Sequence, residues 1–318
     1  MPDSTDHPAD NNHNSRHQSP SNLPSSYIGR FAPSPSGPLH MGSLIAALAS
    51  YLDARSQHGK WLVRMEDLDP PRESKEAADQ ILDALDKTGL HWDDRVLYQS
   101  QREDAYLEAL ETLSRQDLIF ACDCTRQQIQ ESGGVYPGTC RLRHLPEEAG
   151  KALRCRVTDK VISFTDQIQA FQSQHLQCDI GDFVIKRKDG LFAYQLAVVV
   201  DDAFQKVSHI VRGIDLMNST ARQIYLQQKL GFQQPCYAHI PVIVNQQGQK
   251  LSKQHKAKPI DPDDSVALLI EALRYLQQDP DPALISGNND DILKWGIAHW
   301  NPARLTDRQE IQEFKAPL

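Results

Sequence analysis

The chain has 318 residues, of which 40% are hydrophobic and 24% charged, with a formal net charge of −8 and six cysteines. That length holds a full core in one large domain or two smaller ones, and no apolar run reaches the roughly 18 residues a membrane-spanning helix requires. The negative balance argues against a chain coated in nucleic acid and leaves room only for a local basic groove. Candidate clusters for such a groove are Arg141, Arg143, Arg154 and Arg156; Lys186, Arg187 and Lys188; and Lys250, Lys253, Lys256 and Lys258. Cysteines without a secretory leader suit a reduced, cytoplasmic setting.

Residues 1–26, rich in Asp, Asn, His, Pro and Ser, predict a disordered tail in which His7, His13 and His17 are more readily solvated than metal-bound. Residues 27–32 predict a strand and 43–57 an amphipathic helix with Ser43 near its cap. A short buried strand follows at 61–65, a helix at 73–88 stopped by Gly89, and a third helix at 102–115. Residues about 121–181 carry cysteines and glycines in a less regular pattern and look like an insertion. Alternation resumes at 182–187, then a Lys188-Asp189-Gly190 turn, apolar residues 196–200, a strand at 209–212, a helix at 219–230 and a strand at 241–244. A Gln247-Gly248 turn follows, with helices near 265–278 and 291–300. The alternation predicts an α/β fold with a Rossmann-like, doubly wound parallel sheet over 27–258, and a short helical C-terminal segment over 259–318.

Between the first strand and helix lies Pro33-Ser34-Pro35-Ser36-Gly37-Pro38-Leu39-His40-Met41-Gly42-Ser43. A strand, a Pro/Gly/Ser turn and a His-x-Gly opening a helix form a mononucleotide-binding entrance. The turn lets backbone approach phosphates, and the helix points unpaired N–H groups and its positive dipole end at them. A second basic loop, Lys250-Leu251-Ser252-Lys253-Gln254, follows much later in the chain. Either loop alone is a weak signal; two cationic loops around one nucleotide suggest chemistry at its α-phosphate. Cys122, Cys124 and Cys140, with Tyr136, could converge on tetrahedral Zn²⁺, and Gly133, Gly134 and Gly138 permit the turns between them. Buried free cysteines are the competing reading, and Cys155, Cys178 and Cys236 read as small core residues.

These motifs resemble those of class I aminoacyl-tRNA synthetases of the glutamate/glutamine branch. His40-Met41-Gly42-Ser43 stands for their His-Ile-Gly-His signature and Lys250-Leu251-Ser252-Lys253-Gln254 for Lys-Met-Ser-Lys-Ser. Arg30-Phe31-Ala32-Pro33-Ser34, Arg64-Met65-Glu66-Asp67-Leu68-Asp69 and Val199-Val200-Asp201-Asp202-Ala203 match that branch specifically. Ser43 and Gln254 depart from the two signatures. The resemblance covers roughly 27–258. It implies attack of a glutamate carboxylate on the α-phosphate of ATP, with loss of pyrophosphate and formation of a glutamyl-adenylate. Such a carboxylate is already ionised, so the enzyme aligns two anions and neutralises developing charge instead of moving a proton. His40, Gly42, Lys250 and Lys253 are the implied ATP contacts, with Mg²⁺ alongside, and His40 and Lys253 are the implied electrostatic stabilisers.

The resemblance also implies a glutamate pocket made of Arg30, Phe31, Ala32, Pro33, Ser34, Glu66, Tyr194 and Arg212. Arg30 and Arg212 would fork carboxylates, Tyr194 would add a hydroxyl, and Glu66 would pair with the α-ammonium. Two guanidiniums favour glutamate over glutamine. The Cys-x-Cys…Tyr-x-x-x-Cys pattern belongs to a subset of the branch that holds one structural Zn²⁺. The stretch after Gln254 is too short for helical anticodon-binding domains besides a stem. The nearest resemblance is therefore to truncated relatives that activate L-glutamate without tRNA and esterify it to queuosine in the anticodon loop of tRNA(Asp), an accessible single-stranded target. The competing readings are transfer to a tRNA 3′ end or a carrier protein, a nucleotidyltransferase of the same superfamily, and a silent zinc-bearing binding module. No membrane and no obligate protein partner enters the expectation.

Overall fold

The computed structural model describes residues 26–245, 247–248 and 258–314. Lys250, Lys253, Lys256 and the three histidines of the tail lie outside them.

Strand β1 (Ile28–Phe31), helix α1 (Met41–Ser56) and strand β2 (Lys60–Met65) form the first crossover unit. Its strands pair in parallel from Ile28↔Lys60 to Phe31↔Val63. Both faces of such a sheet are covered, which is why Trp61-Leu62-Val63 reads as one unbroken apolar run. Helix α2 (Lys75–Lys87) begins later than the sequence suggests. Ser74 is its cap, accepting Ala77 N–H at 3.1 Å, while the Glu73 carboxylate accepts Asp69 N–H in the preceding turn at 2.6 Å. Strand β3 (Leu97–Tyr98) extends the parallel sheet beyond β2, and helix α3 (Glu103–Arg115) follows.

The region expected to be irregular holds more regular structure than its composition suggests. Strand β4 (Ile119–Cys122), helix α4 (Arg126–Glu131) and strand β5 (Ala152–Cys155) come first. Strands β6 (Val161–Asp166) and β7 (Ala170–His175) then form an antiparallel hairpin. Strand β8 (Phe183–Lys186) closes an antiparallel sheet of order β4-β5-β8. The alternating burial of β6 is legible as Val161-Ile162-Ser163-Phe164-Thr165-Asp166, but nothing in that segment names its partners β7 and β10. Cys155 is buried, yet Cys178 is exposed, contrary to expectation. It sits in a single wide turn, Leu176–Ile180, whose apolar ends Leu176 and Ile180 take the buried positions.

Helix α5 (Tyr194–Phe204), strand β9 (His209–Gly213), helix α6 (Met217–Leu230) and strand β10 (Cys236–Ile240) make the second half. Strands β9 and β10 pair in parallel, and β6 joins the far side of β10 at Tyr237↔Asp166. Ser208 N–H donates to the Ile28 carbonyl at 2.9 Å, joining the start of β9 to the start of β1. The α/β fold with a parallel sheet is therefore present, its two halves meeting between β1 and β9.

The C-terminal segment is not wholly helical. Strand β11 (Val242–Val244), helix α7 (Ser265–Tyr275) and helix α8 (Asn289–His299) precede strand β12 (Glu310–Gln312), which pairs in parallel with β11. Helices α7 and α8 pack on α1, so α1 is buried on nearly every side. Gly296 permits that approach: a Cβ there would stand 3.0 Å from Leu52 Cδ2 and 3.5 Å from Leu273 Cδ2. Gly296→Leu should destabilise the fold by about 1–3 kcal/mol through overpacking. Urea unfolding measures it, and an unchanged midpoint would contradict this packing.

Candidate active site

The carboxyl ends of β1, β2, β9 and β10 surround a cavity of about 510 Å³. This is the crevice where ligands bind in open α/β sheets. Every described residue that the sequence assigned to glutamate or ATP lines it: Arg30, Phe31, Ala32, Pro33, Ser34, His40, Gly42, Glu66, Tyr194 and Arg212.

One wall is the turn between β1 and α1. Glu66 N–H donates to the Pro33 carbonyl and Ser74 N–H to the Pro35 carbonyl, each at 3.0 Å, so the turn is fastened to the end of β2 and the cap of α2. Gly37 takes a φ of +140°, which glycine adopts without strain. The N-cap of α1 is His40, not Ser43. Its Nδ1 accepts Ser43 N–H at 3.2 Å, and its Nε2 lies 3.0 Å from Ser43 Oγ. A backbone N–H can only donate, so Nδ1 is bare and the proton sits on Nε2, donated to the serine. Ser43 thus stands where the synthetase signature has a second histidine and engages the first. No acidic side chain occupies the first turn of α1, so its positive end meets the cavity undiminished. Pro259 bridges His40, and Ile260 N–H donates to the Leu39 carbonyl at 3.0 Å, bringing the chain back beside this cap.

Buried charges form the opposite wall. Asp202 Oδ1 accepts from Arg64 at 2.8 Å and from Arg30 Nε at 3.3 Å, while Arg64 reaches Glu66 at 3.4 Å. Arg30, Arg64 and Asp202 are each less than 5% exposed. Burial pushes the Asp202 carboxyl up, but Arg64 and Arg30 outweigh it and hold the group below the ordinary range. Glu66 behaves oppositely: burial raises it more than Arg64 and Arg30 lower it. A further cation beside Glu66 would therefore stabilise its ionised form. Arg30 commits only its Nε to Asp202, and its terminal nitrogens have no hydrogen-bond partner among the described residues.

Arg212, at the end of β9, is also 4% exposed. It donates to Gln223 and Thr220 at 2.8 Å each and to His239 Nε2 at 3.0 Å, with the Tyr194 hydroxyl at 3.5 Å. The residues that hold these arginines escaped the sequence reading. Asp202 lies inside a quoted motif, and His239 is a lone polar residue in the apolar run of β10; neither announces a partner.

Away from the cavity, the sulfurs of Cys122, Cys124 and Cys140 all lie within 4.8 Å of one another. Cys124 and Cys140 are 3.6 Å apart, and the Tyr136 hydroxyl is 3.5 Å from Cys122. Thiolates 2.3 Å from a tetrahedral ion stand about 3.8 Å apart, so the donor set and spacing fit Zn²⁺. Much of the basic residue inventory is occupied nearby. Arg141 pairs with Asp182 and Arg143 with Asp123, while Arg154 and Arg156 donate to the carbonyls of Asp182 and Asp117. Arg187 pairs with Asp189 and Asp69.

The profile described as "tRNA synthetases class I (E and Q), catalytic domain" matches residues 28–266. A glutamyl-Q tRNA(Asp) synthetase from Pseudomonas putida strain KT2440 is 51% identical over 289 residues, covering 91% of this chain and 96% of the relative. The chain belongs to the glutamyl-Q tRNA(Asp) synthetase family of class I tRNA synthetases. A second glutamyl-Q tRNA(Asp) synthetase, from Pseudomonas fluorescens strain Pf-5, is 51% identical over 290 residues, covering 91% of this chain and 97% of its own. Among solved structures, a glutamate tRNA ligase from Elizabethkingia meningosepticum, in complex with its amino acid, superposes with a TM-score of 0.73 at 24% identity. That match covers 90% of this chain and 67% of the ligase. The glutamate-tRNA synthetase of Elizabethkingia anophelis gives 0.74 at 23% identity, covering 90% and 68%. These two likenesses carry the fold; the family assignment makes the protein a ligase of the class I synthetase type. No described helix is long and apolar enough to cross a membrane.

Removing Asp202 leaves two buried guanidiniums without their shared acceptor. Asp202→Ala should cost about 3–5 kcal/mol in urea unfolding at neutral pH. A carboxyl held low contributes fully above about pH 4, the ordinary aspartate value, and its contribution fades as pH falls through the lowered one. The gap between the two proteins should therefore narrow in acid. A loss below about 1 kcal/mol at neutral pH would contradict the bridging role.

Proposed function

We propose that the protein activates L-glutamate with ATP in the absence of tRNA and transfers the glutamyl group to queuosine in the anticodon loop of tRNA(Asp). The observation that carries this reading is the cavity itself: Arg30, Glu66, Tyr194 and Arg212 share it with the capped start of α1, in a chain about half identical to glutamyl-Q tRNA(Asp) synthetases.

In this reading the ammonium of glutamate pairs with Glu66, whose carboxylate gains from a cation. Arg212 and the Tyr194 hydroxyl take the side-chain carboxylate, and the Arg30 terminal nitrogens help hold the reacting carboxylate. The triphosphate lies across Gly42 and the N–H groups of α1. A carboxylate oxygen attacks the α-phosphorus in line, the bond to the bridging oxygen breaks, and pyrophosphate leaves with that electron pair. No proton needs to be moved in this step. Binding two anions together is the difficult part, and fixed positive groups do that work without reorganising. His40 joins this wall at the cap as a neutral N–H donor, through the Nε2–H now shared with Ser43. Lys250 and Lys253 complete it in this proposal, with Mg²⁺ as companion of the triphosphate; Lys253 is six residues before Pro259, which bridges His40. A structural zinc held by Cys122, Cys124, Tyr136 and Cys140 would tie the end of β4 to the loop that follows it. The second half-reaction is attack on the adenylate carbonyl by a queuosine hydroxyl, which releases AMP.

The test is an acceptor assay with ATP, labelled glutamate and tRNA(Asp) that carries or lacks queuosine. Label should enter only the queuosine-containing tRNA, survive removal of its 3′-terminal adenosine, and accompany one zinc per chain in the protein used. Label confined to the terminal adenosine would overturn the acceptor, and protein prepared without chelators that lacks zinc would overturn the metal.

A further inference from the structure

The guanidinium of Arg212 is not steered by residues of the cavity wall alone. Its Nε–H donates to His239 Nε2 at 3.0 Å, and the other ring nitrogen of His239 lies 2.6 Å from Asp166 Oδ2. The His239 and Asp166 side chains are fully buried. Arginine has only donors, so His239 Nε2 must be bare and its single proton must sit on Nδ1, donated to Asp166. Asp166 is itself fixed: its Oδ1 accepts backbone N–H groups of Ile168, Gln169 and His239 at 3.0, 2.8 and 3.1 Å. Gln169 adds a bond from its side chain to the His239 carbonyl at 2.9 Å. The β6–β7 hairpin therefore grips the imidazole from behind.

We propose that His239, locked as its Nδ1–H tautomer by Asp166, is a positioning residue that aims the Arg212 guanidinium and thereby sets the preference for a carboxylate side chain over a carboxamide.

With Nε–H anchored on His239, and one N–H of each terminal nitrogen on Gln223 and Thr220, one hydrogen per terminal nitrogen is left with contacts at the 3.5 Å limit, to Tyr194 and the Leu216 carbonyl. In the proposal a planar carboxylate displaces these two long contacts and takes one hydrogen from each terminal nitrogen as a pair. A carboxamide offers only one acceptor and turns an N–H₂ toward a donor. A protonated ring would point a second N–H at Arg212 and break the arrangement. Burial together with the nearby guanidinium lowers the His239 basicity despite Asp166, in agreement with the geometry.

This inference rests on the reading that Arg212 binds the glutamate side chain, and the experiment separates the two. Pyrophosphate exchange is measured on the full chain and on His239→Leu and His239→Gln, with glutamate, glutamine and ATP each varied. Gln keeps an acceptor near the position of Nε2; Leu does not. His239→Leu should raise the glutamate KM about tenfold or more, shrink the glutamate-over-glutamine preference, and leave the ATP KM unchanged. His239→Gln should stay within about threefold of the parent, well under the cost of one charged hydrogen bond. Equal behaviour of the two variants, or a folded Leu variant with parental glutamate KM, would overturn the positioning role. Absence of glutamate-dependent exchange in the parent would instead overturn the reading it rests on. Should the Leu variant not fold, ¹⁵N imidazole spectra of the parent decide: a proton on Nδ1 supports the proposal and a proton on Nε2 overturns it.

Discussion

Buried guanidiniums need fixed acceptors around them, and that requirement runs through the whole site. Arg30 on β1 and Arg212 on β9 stand on opposite sides of the line where the two halves of the sheet meet, each nearly excluded from water. An unpaired charge in such a place is costly. Asp202 answers Arg30 and Arg64 together, while neutral acceptors, Gln223, Thr220 and His239, answer Arg212. Arg30 is thus matched by a carboxylate, and Arg212 keeps a net positive charge with no carboxylate against it. That asymmetry makes the Arg212 side of the cavity the one that calls for an anionic guest.

The remainder of the fold can be understood as support for this arrangement. Parallel pairing of β1 with β2 and of β9 with β10 brings four strand ends to one crevice. Helix α1 starts at that crevice and is sealed on its far side by α7 and α8, so its capped end is held rigidly. The hairpin β6–β7 is more than decoration of an inserted region, since Asp166 at its turn fastens the histidine behind Arg212. A segment distant from the motifs in sequence is thereby tied, through His239, to the arginine at the cavity.

How much of this was legible before the structure depends on whether the signal was local. The turn at 33–43 carries its own punctuation, and Arg30, Glu66 and Arg212 each end a strand, where open sheets gather ligands. They duly line one cavity. The cap of α1 was misplaced because Ser outranks His as a general N-cap, whereas here the imidazole does that work and Ser43 serves it. Asp166, His239, Asp202 and Arg64 were beyond reach for a different reason. Their meaning lies in pairings across 73 and 138 positions of sequence, and a buried His in an apolar strand looks the same whether it fills space or aims an arginine. The β6–β7 hairpin was lost because it lies between Cys155 and Cys178, inside a stretch that reads as one irregular insertion. Strand β12 was lost because three residues, Glu310–Gln312, carry no periodicity to read.

In the proposed function this cavity selects an amino acid by its side-chain charge and joins it to a nucleotide at the start of α1. The most direct measurement is ATP–pyrophosphate exchange by the full chain, without tRNA, in the presence of glutamate, glutamine or aspartate. Exchange is expected with glutamate, with at least about a hundredfold lower kcat/KM for glutamine, because a site built for a carboxylate is left with unmatched donors by its amide. Comparable exchange with glutamine, or none with glutamate, would contradict it.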